Sequence, residues 1–144
     1  MGRFLVKKES IFSTDFSGSI YLNGGVAETF SIVEEYNPAT DAWTTKSPMP
    51  TARGGFVTGV VNEKIYAIGG GDVYPPSNLY RIVEEYNPVT DTWTSKSKPD
   101  VGPLNAACGV VNGKIYVIGG FGSDRSNPFA SVYVYDPAVE TFSE

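Results

Sequence analysis

Residues 33–47 read VEEYNPATDAWTTKS and residues 83–97 read VEEYNPVTDTWTSKS, identical at 12 of 15 positions. A second pair is as close: VVNEKIYAIGG at 60–70 and VVNGKIYVIGG at 110–120 agree at 9 of 11. Both pairs are offset by 50 residues, so they are two parts of one unit repeated in phase. Weaker copies extend the series. GSIYLNGG at 18–25 aligns with the KIYAIGG segment at an offset of 45, and VYVYDPAVETF at 132–142 aligns with the tyrosine segment at an offset of 49. The unit is a strand ending in Gly-Gly, then a tyrosine before Asn-Pro or Asp-Pro, then an aromatic seven residues after that tyrosine.

Local chemistry predicts four short strands per unit. GFVTGVV (55–61) and AACGVV (106–111) read as first strands, and the two-residue turns Asn62-Glu63 and Asn112-Gly113 follow them. Asn-Gly is the strongest two-residue hairpin signal. KIYAI (64–68) and KIYVI (114–118) are second strands closed by the glycine pairs, whose backbone tolerates geometry other residues resist. RIVEEY (81–86) is a third strand stopped by Asn87-Pro88, and a fourth begins at Trp93. The strands are apolar on both faces, as suits sheets sandwiched between neighbours. Essentially no helix is expected.

The pattern resembles the kelch repeat, a unit of about 50 residues that forms one four-stranded antiparallel blade of a β-propeller. The matching residues are Gly24-Gly25, Gly69-Gly70 and Gly119-Gly120; Tyr36, Tyr86 and Tyr135; and Trp43, Trp93 and Phe142. The resemblance implies an all-β fold: one kelch domain over residues 1–144 with blades at about 9–48, 52–98 and 102–144. Three blades fall short of the four to eight of a closed propeller and leave two broad apolar faces uncovered. Two chains would supply six blades, so a homodimer closing one ring head to tail is expected, against the alternative of a fragment of a longer propeller. Residues 1–8, with Phe4 three residues before Lys7 as Trp43 precedes Lys46, are a candidate closing strand for the partner's last blade.

Composition removes whole classes of function. The chain has no histidine and one cysteine, Cys108, so histidine bases, Ser-His-Asp triads and most zinc or copper sites are excluded. No cofactor or metal is expected. Lys and Arg total 11 against 16 acidic residues and are scattered, which argues against nucleic acid. No segment reads as a signal peptide or a membrane span, so a cytoplasmic chain is expected, with no membrane partner. Cys108 aligns with Thr58 inside an apolar strand and reads as a core residue.

Strand parity separates scaffold from candidate site. The 1–2 and 3–4 turns share one end of every blade, and the longer, dissimilar 2–3 and 4–1 loops share the other. Repeated residues serve the frame, whereas non-repeated loop residues are free to bind. The candidate binding residues are Arg53, Asp72, Tyr74, Asn78, Tyr80, Arg81, Asn105, Phe121, Asp124, Arg125 and Asn127. Arg53 leads the list because kelch blades often carry an arginine just before strand 1, although Pro103 stands at that place in the third unit. The repeated Glu34-Glu35 and Glu84-Glu85 pairs are not read as acid/base dyads, since neighbours on a strand point to opposite faces.

No catalytic constellation is assembled, and the kelch resemblance implies a protein-binding module rather than an enzyme. Two alternatives stand beside it. One is an enzyme similar to sialic-acid mutarotases, holding an acidic sugar with Arg, Glu and Asn at the ring mouth. The other is a purely structural half-propeller. A copper enzyme similar to galactose oxidase would need the histidines this chain lacks.

Overall fold

The structure is a computed structural model that describes residues 11–14, 20–23, 31–72, 78–100, 102–122, 128 and 130–144. Among the described residues, twelve strands form three four-stranded antiparallel sheets, each in sequence order. The first blade holds β1 (Ile11–Thr14), β2 (Ile20–Asn23), β3 (Val33–Asn37) and β4 (Ala42–Lys46). The second holds β5 (Val57–Val61), β6 (Lys64–Ile68), β7 (Val83–Asn87) and β8 (Thr92–Ser95). The third holds β9 (Ala107–Val111), β10 (Lys114–Ile118), β11 (Val132–Asp136) and β12 (Thr141–Ser143). No helix occurs among the described residues, and the chain forms part of a β-propeller. The proposed closing strand at residues 1–8 lies outside the described residues.

Turn chemistry accounts for the hairpins. Asn62-Glu63 and Asn112-Gly113 both take positive φ at both positions, the mirror-image turn whose twist matches the strands it joins. At the 3–4 turns, the side chains of Asn37, Asn87 and Asp136 accept hydrogen bonds from the amides two residues on, Ala39, Val89 and Ala138. These Asx turns form where Pro follows and the strand cannot continue. Strands β5 and β7 start two residues later than the sequence suggests. Gly55 turns left-handed at φ 65 before β5, and the left-handed pair Gly69-Gly70 interrupts the ladder opposite Ile82 before β7.

The Gly-Gly pair also sets how closely blades approach. The Gly70 amide donates to the Pro103 carbonyl at 2.9 Å, across to the link that enters the third blade. A Cβ on Gly69 would stand 2.4 Å from that same carbonyl. Only glycine fits there.

Two apolar seams hold the blades together. Val33 and Met49 of the first blade pack with Phe56, Ile65, Ala67 and Tyr86 of the second. On its other side the second blade packs Val57, Val61, Tyr66, Ile68 and Val83 against Ile115, Val117 and Tyr135 of the third. At the first seam, Trp93 donates its indole N–H to the Ser47 carbonyl at 2.9 Å, while Asp91 accepts from the Ser47 amide at 2.9 Å and the Tyr86 hydroxyl at 2.7 Å. Both backbone groups of Ser47 are thus gripped by the next blade. In the third blade Glu140 and Phe142 replace Asp91 and Trp93, and the buried Tyr135 hydroxyl has no hydrogen-bond partner among the described residues.

Two seam carboxylates sit below their ordinary range. The Tyr86 hydroxyl and the Ser47 amide hold Asp91 down. Burial pushes Glu85 up, but Lys64, Tyr66 and Lys96 outweigh it and leave it lowered. A carboxylate depressed on folding stabilises the fold above its unfolded pKa, and that contribution disappears as pH falls through the folded value. The thermal midpoint should therefore hold above about pH 5 and drop steadily toward about pH 3. Asp91→Asn should flatten part of that drop, as followed by circular dichroism melts across the range.

Candidate functional site

The end of the blades that carries the 2–3 and 4–1 loops is zipped by backbone pairs. Gly54, in the link entering the second blade, exchanges two 3.0 Å hydrogen bonds with Gly71, which opens the 2–3 loop. One repeat later Leu104 and Phe121 are joined the same way, at 3.3 and 2.9 Å. The loop necks of the second and third blades are therefore anchored to the links of their own blades, a rigid base for residues beyond them.

Asp72, Asn78 and Tyr80 meet at the neck of the second-blade loop. Asp72 accepts from the Asn78 side-chain amide and the Tyr80 hydroxyl, both at 2.8 Å, and its own amide donates to the Asn78 carbonyl at 3.1 Å. The hydrogen bond to Asp72 raises the Tyr80 pKa, so the phenol remains a neutral donor. Arg81 is exposed on the same strand entry. Asn105 is exposed and left-handed at φ 54, with its amide bound to the Gly55 carbonyl at 2.8 Å. Phe121 is half-buried and bridges Leu104 and Pro128. Tyr74, Asp124, Arg125 and Asn127 lie outside the described residues.

Arg53 is corrected from a ligand-facing residue to part of the frame. It is wholly buried. Its guanidinium pairs with Glu84 and donates to the carbonyls of Gly69 (2.8 Å), Thr51 (3.0 Å) and Ala67 (3.2 Å), and its carbon centre lies 5.1 Å from the Phe56 ring centroid. Thr51 donates to the other Glu84 oxygen at 2.8 Å. Burial lowers the Arg53 pKa against the opposing pull of Glu84. The sequence offered no way to see this, because an arginine before strand 1 looks the same whether it faces the ring mouth or folds back onto its own blade.

The glutamate pairs behave as strand parity requires. Glu84 turns to Arg53, while Glu85 turns to the other face and meets Lys64 at 2.7 Å, the Tyr66 hydroxyl at 2.8 Å and Lys96 at 3.2 Å. Cys108 is half-buried, and desolvation pushes its thiol up to about 11, so it is not a nucleophile near neutrality. Among the described residues no cluster of three or more His, Cys, Asp or Glu could hold a metal ion, and no helix is long and apolar enough to cross a membrane. A cavity of about 180 Å³ between the third blade and the link entering it was not anticipated. Its signal lay in the repeat itself, where Arg53 and Glu84 of one unit become Pro103 and Tyr133 of the next.

Comparison with known proteins agrees with the repeat. The Kelch motif matches residues 52–99 and 103–144, more than half of the chain, and the chain belongs to the kelch-motif family. An F-box/kelch-repeat protein of Arabidopsis thaliana is 37% identical over 57 residues, which covers 38% of this chain and 12% of that protein. The solved structure of YjhT matches with a TM-score of 0.80 at 19% identity, over 94% of this chain and 50% of that one. The chain thus spans half the length of that propeller and a small part of the plant relative.

Removing one partner of a buried pair leaves an uncompensated charge, at a cost of about 3–5 kcal/mol. Arg53→Met should lower unfolding stability by about that much, and Arg53→Met with Glu84→Met should recover most of it. Denaturant titrations of the two variants check this. Unchanged stability in the single variant would contradict the strut.

Proposed function

We propose that this chain is a kelch-repeat interaction module whose first partner is a second copy of itself. The two copies close a six-bladed ring, and the face bearing the 2–3 and 4–1 loops takes a further protein. One comparison within the chain supports self-association most strongly. Val61, Ile68 and Val83 of the second blade are 4%, 0% and 1% exposed, covered by the third blade. Their repeat equivalents in the third blade, Val111, Ile118 and Val132, are 54%, 48% and 40% exposed. The residue types are the same, and only the neighbouring blade is missing.

The opposite side of the arc offers the complementary surface. Tyr36 and Trp43 of the first blade repeat Tyr86 and Trp93, which meet the preceding blade at the first seam. Trp43 is 43% exposed and keeps the same tilted stack on its tyrosine, with ring centroids 4.9 Å apart against 5.0 Å for Tyr86 and Trp93. Each copy therefore carries a face of the kind that its own seams bury on both sides. Large apolar faces of this sort mark association sites.

For an outside partner, Asp72, Asn78, Tyr80, Arg81, Asn105 and Phe121 remain the described candidates on the loop face. The acidic-sugar reading calls for Arg, Glu and Asn at the ring mouth, and Arg53 is not available to it, being paired with Glu84 and out of solvent.

Sedimentation equilibrium of the purified chain should return twice the 15.5 kDa chain mass. Ile118→Lys should weaken association at least about tenfold, since a charge would enter a desolvated face. Val89→Lys, on an 87% exposed turn residue, should leave it unchanged. A well-folded wild-type monomer would overturn the reading.

A further inference from the structure

Where the link entering the third blade meets that blade there is a cavity of about 180 Å³ lined by Pro99, Pro103, Val117, Tyr133 and Phe142, with Asp100 and Glu144 among the lining residues. Its place in the repeat identifies it. Val117 pairs with Tyr133 across β10 and β11, as Ala67 pairs with Glu84 across β6 and β7. Pro103 precedes the Leu104–Phe121 bridge as Arg53 precedes the Gly54–Gly71 bridge. Pro99 stands for Met49, and Phe142 for Trp93. The cavity is therefore the position that Arg53, Glu84 and the buried Met49 fill at the first seam.

We propose that this cavity is a binding site for an alkylguanidinium group. Its size suits a small group, since drug-sized sites start at roughly 300 Å³. Its walls suit a stem with a cationic head. Two prolines and a valine would cover the methylenes, and Tyr133 and Phe142 bring aromatic rings, a type of group that attracts cations, into the lining. The lining residues include the carboxylates of Asp100 and Glu144, the latter also accepting from the Ser131 hydroxyl, and no lysine or arginine. Planar guanidinium is the cation that pairs with carboxylate through two parallel hydrogen bonds, and it is less strongly hydrated than ammonium. The first seam shows the same position in the repeat accommodating that group, on carbonyls of β6 and the adjoining link and beside the Phe56 ring. The second seam has lost its internal arginine and its internal glutamate together.

This site does not draw on a second copy, since its lining comes from the third blade and the link entering it within one chain. The test is an NMR titration of the full chain with n-butylguanidinium, following the Val117 methyls and the Tyr133 and Phe142 rings. Saturable shifts below about 10 mM are expected, and n-butylammonium should bind at least about fivefold more weakly. Asp100→Asn with Glu144→Gln, both at exposed positions, should weaken binding about tenfold. Pro103→Arg with Tyr133→Glu should refill the cavity from within, abolish the shifts and leave the circular dichroism spectrum unchanged. N-acetylarginine methylamide separates the sources: binding alongside butylguanidinium supports an arginine side chain, and binding of butylguanidinium alone supports a small free cation. No shift with either probe would overturn the proposal, as would shifts of equal size in the folded refilled variant.

Discussion

A four-stranded blade is apolar on both faces and can cover neither of them alone. Burial of each face therefore depends on the next blade along the chain, and that stacking is the constraint from which the other features follow. It explains why nearly identical strands differ so much in environment. KIYAI in β6 is enclosed on both sides, whereas KIYVI in β10 is enclosed on one. Burying a valine or isoleucine side chain contributes roughly 1.5–3 kcal/mol, so several exposed equivalents on one face are a substantial driving force for a further neighbour.

Around that apolar stacking, polar contacts fix the register between blades. The grip of Asp91 and Trp93 on Ser47 positions the first seam, and the Gly70–Pro103 and Asn105–Gly55 backbone bonds position the second. At the second seam the third blade supplies Glu140 and Phe142. Lys96 reaches Glu140 at 3.1 Å, an exposed ion pair of small worth in place of a part-buried indole hydrogen bond. The seams are thus built on one plan with different polar parts, and the cavity beside Tyr133 is one consequence of that divergence.

The fold was legible in the sequence because the repeat is periodic and its turn residues are local signals. Asn112-Gly113, the Gly-Gly pairs and the Asx-Pro steps each act within a few residues, so the strands and their order could be read directly. Strand starts were off by two residues where Gly55 and Gly69-Gly70 turn left-handed, a backbone property that composition does not reveal. The candidate site was less legible. Non-repetition singled out Asp72, Asn78 and Tyr80, and the structure brings these three together. The same reasoning misplaced Arg53, whose burial depends on Glu84, 31 residues away and classed in the sequence only as scaffold. Long-range pairing of two charged residues leaves no periodic trace. The paired loss of both at Pro103 and Tyr133 does leave one, and it is visible once the units are aligned.

The account rests on the outer face of the third blade being covered in solution as the outer face of the second blade is covered within the chain. Methyl relaxation in the presence of a soluble gadolinium complex measures that coverage residue by residue. Ile118 should be as protected as Ile68, with Val89 strongly broadened as the exposed reference. An Ile118 methyl broadened to the level of Val89 at all protein concentrations would contradict it.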